Sequence, residues 1–402
     1  MIPASETCRD VRTHATCRRA TTRSSACRRR SLRCSRCRIS RAQPACAFPF
    51  TSIRAARRGF GDGLPETGGR SRLRSGRRII YKFLRIEHIL RFLFTRPAVE
   101  RGETPFRTQM STPSTMSADA QPPLPSQAAI DYERTVLSWS TDIPPDVVAI
   151  RDLRYGPDPQ HRYDVFGADR LKNAPILVFW HGGGWTNGYK EYVSFLASAV
   201  VRIGMVLVAP TYRLAPRHRL PAAFDDAAAL LAHLAGAARR WGGNPDRLYL
   251  AGHSAGGAIA AMAALRAPAL RAAGGSPTAV LACLPISGVM DLCHPSPLPG
   301  SLEERVYTML LDRPDSDAAM SALCWAATSA VPMVLSYGQN DSERVIRSNR
   351  RMHALLAHAD PRGLLRCDEH PGADHFQTHT ALRDPSHPWF ATLGRLVEET
   401  SK

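Results

Sequence analysis

The sequence predicts an α/β protein: a mostly parallel sheet with helices on both faces and a small helical cap. Two observations carry this. From Arg162 onward, short apolar runs alternate with longer helical patterns, which is the signature of βαβ units. Several of the runs are continuously apolar, as expected of strands buried on both faces. The predicted strands are "YDVF", "PILVFW", "MVLVAP", "LYLAG", "AVLACLPIS", "PMVLSYG" and "GLLRCDEH". Between them, helical patterns span 190–203, 224–240, 255–266, 342–359 and 388–399. Two stretches break the alternation and are expected as cap elements: about 124–160, with a helix near 130–139, and about 289–330, ending in an Ala-rich helix.

Charge marks off the start of the chain. The whole carries a formal +18, yet residues 1–109 hold 26 Lys+Arg against 7 Asp+Glu, which leaves 27 against 28 for 110–402. The expected folded domain, 110–402, is therefore almost neutral, and its composition gives no reason to expect nucleic acid as a partner. The basic segment holds six of the ten cysteines and little apolar periodicity before Ile79, a composition that buries too little to fold. It reads either as a disordered extension or as sequence upstream of a true start at Met110 or Met116. A mitochondrial transit peptide is the minor alternative. Cys34-x-x-Cys37 lacks the second pair that a zinc module needs, so no metal is expected. "IIYKFLRIEHILRFLF" is too short and too charged to span a bilayer, so stable membrane insertion is not expected. The unpatterned cysteines Cys283, Cys293, Cys324 and Cys367 suit a reducing, cytoplasmic setting.

The chemistry is expected in loops after the strands, where parallel sheets bind ligands. "LYLAGHSAGGA" stops a strand at Ser254, with Gly252 and Gly256 leaving room for a sharp turn into a helix: the context of a nucleophile elbow. A serine hydroxyl needs an imidazole to take its proton, and the imidazole needs a carboxylate to fix its tautomer. In the order Ser, acid, His, Asp341 follows "PMVLSYG" and His375 lies in "PGADHF" after the next strand. The alternatives weighed are Glu343 as the acid, an N-cap role for Asp341, and His370, His379 or His387 as the base. Asp374 and Asp291 read as structural. After "PILVFW" comes "HGGGW", where His181 and Gly182 lead into Gly183 and Gly184. Their amides, with that of Ala255, are the expected oxyanion donors.

With these residues in place, the chain resembles the α/β-hydrolase superfamily, and within it the hormone-sensitive-lipase-like carboxylesterases. "HGGGW", "GHSAGG", "GQND", "GADH" and "YRLAPRHRLPAAFDDA" carry the resemblance, which covers about 125–400. It implies an α/β-hydrolase fold and a Ser-Asp-His esterase for short-chain or aryl esters, with no cofactor and with N-terminal helices over the acyl pocket. "WGGNPDRLYLAGHSAGG" and "LPISGVMDL" are also similar to microbial kynurenine formamidases, which use the same triad on an N-formyl anilide. A small-molecule ester or formamide is thus the expected partner, and a homodimer is left open. A hydrolase fold retained only for binding would lack a triad member, and here all are present.

Overall fold

The computed structural model describes residues 120–400, apart from 329–330 and 361–362. The expectations for residues 1–109, the start codons included, lie outside the described residues. Helix α1 (Gln127–Ser138) comes first, with the Ser126 hydroxyl accepting the Ala129 N–H as its N-cap. An eight-stranded sheet follows: β1 (Val148–Arg154), β2 (Arg162–Gly167), β3 (Ala174–Trp180), β4 (Val206–Pro210), β5 (Gly243–His253), β6 (Val280–Ile286), β7 (Val334–Gly338) and β8 (Arg366–His370). The order across the sheet is β1-β2-β4-β3-β5-β6-β7-β8. β2 runs antiparallel to β1 and β4, and every other pairing is parallel.

Every residue of β3, β4 and β7 is buried, which requires cover on both faces and explains why they read as unbroken apolar runs. The cover comes from α2 (Ala197–Arg202), α3 (Ala222–Ala237), α4 (Ala255–Leu265), α8 (Glu343–Leu356) and α9 (Pro388–Thr400), with α5 (Ala267–Ala272) packed on α3 and α4. α4 is buried along its whole length, and eight of its eleven residues are Ala or Gly. Small side chains let it lie close against the strands, where longer ones would overpack.

The two cap stretches differ from expectation. Residues 124–160 form α1 and then β1, a sheet strand rather than cap. β1 is an edge strand of intermediate burial carrying Arg151, Asp152 and Arg154 among its apolar residues, and that weak alternation hides it in the sequence. In 289–330 no long Ala-rich helix forms. The stretch holds α6 (Leu302–Arg305), a π turn (Val306–Leu310), α7 (Asp317–Met320) and a 3-10 run (Ala322–Thr328). Ser321 is what interrupts it. Its buried hydroxyl donates to the Asp317 carbonyl at 2.7 Å and accepts the Leu292 N–H at 2.8 Å, tying the chain back on itself.

A charged cluster fixes the start of the helical segment after β3. Lys190, 3% exposed, places its Nζ 3.1 Å from Asp164, 3.2 Å from Asp152 and 2.6 Å from Glu191, while Arg151 reaches Asp164 at 3.0 Å. Burial pulls the Lys190 pKa down, but Asp164, Glu191 and Asp152 outweigh it, so the ammonium stays protonated. Because Lys190 follows the HGGGW loop by five residues, this cluster anchors that loop to β1 and β2.

Candidate active site

Ser254 stands between β5 and α4 with φ 57° and ψ −118°, a left-handed conformation that costs an ordinary residue about 1–3 kcal/mol. The surroundings enforce it. The Ser254 N–H donates to the Ile286 carbonyl at 2.9 Å, and the neighbouring backbone leaves no room for side chains. A Cβ on Gly256 would sit 2.1 Å from the Trp180 carbonyl oxygen, and one on Gly252 would sit 2.3 Å from that of Gly256. Only glycine fits at either place, so the elbow's sequence signature is a packing requirement.

The structure brings Ser254, His375 and Asp341 together although 121 and 34 positions separate them pairwise. The Ser254 hydroxyl lies 2.9 Å from His375 Nε2, and His375 Nδ1 lies 2.9 Å from Asp341 Oδ1. A carboxylate only accepts, so Nδ1 carries the ring proton and Nε2 is free to accept from the serine. The Asp341 side chain is fully buried and also accepts the Ser342 N–H at 2.8 Å, while its Oδ2 has no partner among the described residues. The cap of α8 is Ser342, whose hydroxyl accepts the Val345 N–H, so Asp341 is not spent on capping. Glu343 is exposed and points to Arg347 at 3.9 Å. Asp374 accepts the N–H groups of Phe376 and Gln377, and Asp291 pairs with Arg351 at 2.7 Å.

The HGGGW loop follows β3. Gly183 takes φ 119° and Gly184 φ 62°. A Cβ on Gly183 would approach the Asn187 carbonyl oxygen to 2.0 Å. Among the described residues no hydrogen bond uses the N–H of Gly183 or Gly184. Ala255 opens α4, where an N–H has no intrahelical acceptor. His181 supports the loop from beneath: its ring stacks on Tyr212 at 4.5 Å, Nδ1 donates to the Gly182 carbonyl, and the Tyr212 hydroxyl donates to the His181 carbonyl. Replacing Gly183 by Ala should displace the loop and lower kcat on a neutral ester by about 100-fold while the protein stays folded, because one oxyanion donor is worth roughly that much. Stopped assays of kcat beside a melting curve check it.

Sequence reasoning missed a column of buried rings behind His375. His253 Nε2 donates to the His375 carbonyl at 2.7 Å, His253 stacks on His379 at 5.0 Å, and His379 Nδ1 meets the Tyr132 hydroxyl at 2.8 Å. Tyr132 also stacks on Phe376 at 4.9 Å, which ties α1 to the loop carrying His375. Nothing in the sequence flags Tyr132, His253 or the column they form, since the partners are far apart in the chain; His379 stands out only as an alternative base. Burial pushes the His181 pKa down to about 4 and that of His379 to about 3; His253 falls well below its usual value through burial and the neighbouring His375 and His379. With folded values below the unfolded ~6.5, the unfolded chain binds more protons in acid. The stability of the neutral rings is therefore fully present above pH 6.5 and is lost as pH falls toward 4. The free energy of unfolding from denaturant melts should be lower at pH 5 than at pH 7 by roughly 4 kcal/mol on account of His181 and His379 together, and His253 adds to the loss in the same direction.

A cavity of about 320 Å³ opens onto Ser254 and His375. Its walls include Leu124, Ala129 and Tyr132 from the N-terminal side, and Val289, Leu302 and Leu310 from the 289–330 stretch. Both stretches contribute to these walls, the first through Leu124 and α1 rather than β1.

Known proteins agree with this architecture. Residues 177–361 match the protein family described as the alpha/beta hydrolase fold, a span that includes Gly183, Gly184, Ser254 and Asp341. Among solved structures, the thermostable carboxylesterase EstE1 from a metagenomic library superposes with a TM-score of 0.54 at 20% identity, covering 69% of this chain and 98% of its own. The hyperthermophilic esterase of Pyrobaculum calidifontis gives 0.55 at 21%, covering 68% and 90%. The chain has the α/β-hydrolase fold. Among curated relatives, the esterase LipQ of Mycobacterium tuberculosis (strain ATCC 25618 / H37Rv) is 31% identical over 52% of this chain and 52% of its own length. The carboxylesterase NlhH of Mycobacterium tuberculosis (strain CDC 1551 / Oshkosh) is 36% identical over 37% of this chain and 44% of its own. The chain thus spans about half the length of these relatives. Among the described residues, no helix is long and apolar enough to cross a membrane.

Proposed function

We propose that the protein is a serine carboxylesterase acting on short-chain or aryl esters. The observation that carries the reading is the relay Ser254–His375–Asp341, with both links at 2.9 Å, at the mouth of a largely apolar cavity. His375 Nε2 takes the proton of Ser254 as its oxygen attacks the ester carbonyl. The amides of Gly183, Gly184 and Ala255 hold the oxyanion. Collapse breaks the bond to the alcohol, which leaves with the proton from His375. A water then gives its proton to His375 and attacks the acyl-enzyme, and Ser254 departs with that proton, releasing the carboxylic acid.

A cavity of about 320 Å³ lies at the small end of ligand sites. Acetate and butyrate p-nitrophenyl esters should therefore exceed the decanoate in kcat/KM. N-formylkynurenine belongs in the same panel, because the same relay cleaves an activated formamide. Formamide turnover several orders of magnitude above every ester would replace the esterase reading with an arylformamidase.

A further inference from the structure

The cavity is largely apolar, and the Asp, Glu, Lys and Arg side chains in its wall are Glu303, Arg305 and Arg344. Arg305, the last residue of α6, lies in its wall beside Thr186 of the HGGGW loop, with Nη2 3.5 Å from the Thr186 hydroxyl, a distance at the limit of a hydrogen bond. Thr186 in turn donates to Asn187 Oδ1 at 2.7 Å, and its N–H goes to the Gly183 carbonyl, so the guanidinium stands next to the turn carrying the expected oxyanion donors. Among the described residues Arg305 has no ion-pair partner.

The carboxylates that would be expected to neutralise it are committed elsewhere. Glu303 is drawn to Arg344 at 3.6 Å, and Glu304 accepts the Gly300 N–H at 2.6 Å. Asp291 holds Arg351 through its carboxylate and Arg344 through its carbonyl, at 3.1 and 2.9 Å. Arg344 and Glu303, both in the same wall, cancel in charge. What remains is one positive fork in a half-buried setting, where a charge interaction is screened less than at an open surface.

We propose that Arg305 is a specificity-determining residue and that the preferred substrates are esters bearing a carboxylate, the monoesters of short dicarboxylic acids in particular. A guanidinium fork matches the two oxygens of a carboxylate in one plane. A doubly charged phosphate needs more donors than a single arginine beside apolar walls supplies. The small volume keeps the carboxylate within a few carbon atoms of the scissile carbonyl. The inference rests on the esterase reading above and adds the charge of the substrate.

The test is kcat/KM for monomethyl glutarate and monomethyl adipate, followed by proton release on the full chain. Each is compared with the neutral methyl ester carrying an isopropyl group in place of the carboxylate. p-Nitrophenyl butyrate reports the esterase activity separately. The charged ester of the better pair should exceed its neutral counterpart about tenfold or more, and the advantage should shrink in 0.5 M KCl. In Arg305→Gln the charged-to-neutral ratio should fall by about ten- to a hundredfold, the range expected for hydrogen bonds to a charged group. A wild-type ratio at or below one overturns the inference without any variant. So does a ratio that Arg305→Gln leaves unchanged, or turnover of p-nitrophenyl butyrate with none of either monoester. Absence of turnover on p-nitrophenyl butyrate as well would instead remove the esterase reading itself.

Discussion

Ser254→Ala is expected to lower kcat on p-nitrophenyl butyrate by about 10⁶-fold, the order of loss seen when a triad nucleophile is removed. The elbow makes the hydroxyl separable from the fold. The hydroxyl, 2.9 Å from His375 Nε2, is the only part of Ser254 that the relay uses. Its backbone is held by the Ile286 carbonyl and by the glycines around it. Alanine takes the same φ with similar strain, so the fold should survive and the melting temperature should move little. His375→Ala should cost about as much, and the double variant no more than either single one, because the two groups act as one unit. Additive losses would mean that they act separately. The serine should also be labelled one-to-one by an organophosphate, seen as a mass shift on the peptide containing Ser254, and Ser254→Ala should abolish the label. A Ser254→Ala protein retaining more than about 1% of turnover would overturn the mechanism.

The parallel strands were the most legible part of the fold, for a physical reason. β3, β4 and β7 are buried on both faces, so burial leaves an unbroken apolar run in the sequence. β1 is partly open, and its charged residues are recruited into the Lys190 cluster, so it shows neither a run nor a clean alternation. The site divides in the same way. Gly252, Gly256 and Gly183 stand where backbone atoms from other strands or turns would collide with a Cβ, and that demand is written locally. Asp341 was ambiguous in the sequence because a residue just before a helix often caps it. The neighbouring Ser342 takes that role, which leaves the carboxylate to His375. Tyr132 and Arg305 come to the site only through partners 247 and 119 positions away, and no local pattern encodes such distances; His379, an alternative base in the sequence, lies instead in the buried column behind His375.

Asp341→Asn is expected to lower kcat/KM by about 10³-fold, short of the ~10⁴-fold loss that follows when an asparagine at this position turns the imidazole to the wrong tautomer. The difference comes from Ser342. Asp341 Oδ1 accepts two N–H groups at once, from His375 Nδ1 at 2.9 Å and from the Ser342 backbone at 2.8 Å. The other oxygen, Oδ2, is buried without a partner among the described residues. An asparagine that set its amide nitrogen in the Oδ1 position would face two donors with donors. The oxygen is therefore held there by both, and the amide nitrogen takes the Oδ2 position. His375 then keeps its proton on Nδ1 and Nε2 can still accept from Ser254. What the variant loses is the negative charge that stabilises the imidazolium in the transition state. It also buries an NH₂ group with nothing to donate to, a cost of about 1–3 kcal/mol that should appear as a lower melting temperature. Steady-state kinetics beside a melting curve distinguish the outcomes. A loss of 10⁴-fold or more would mean that the amide reverses and Ser342 does not control it. A loss under tenfold would mean that His375 is oriented by some group other than Asp341.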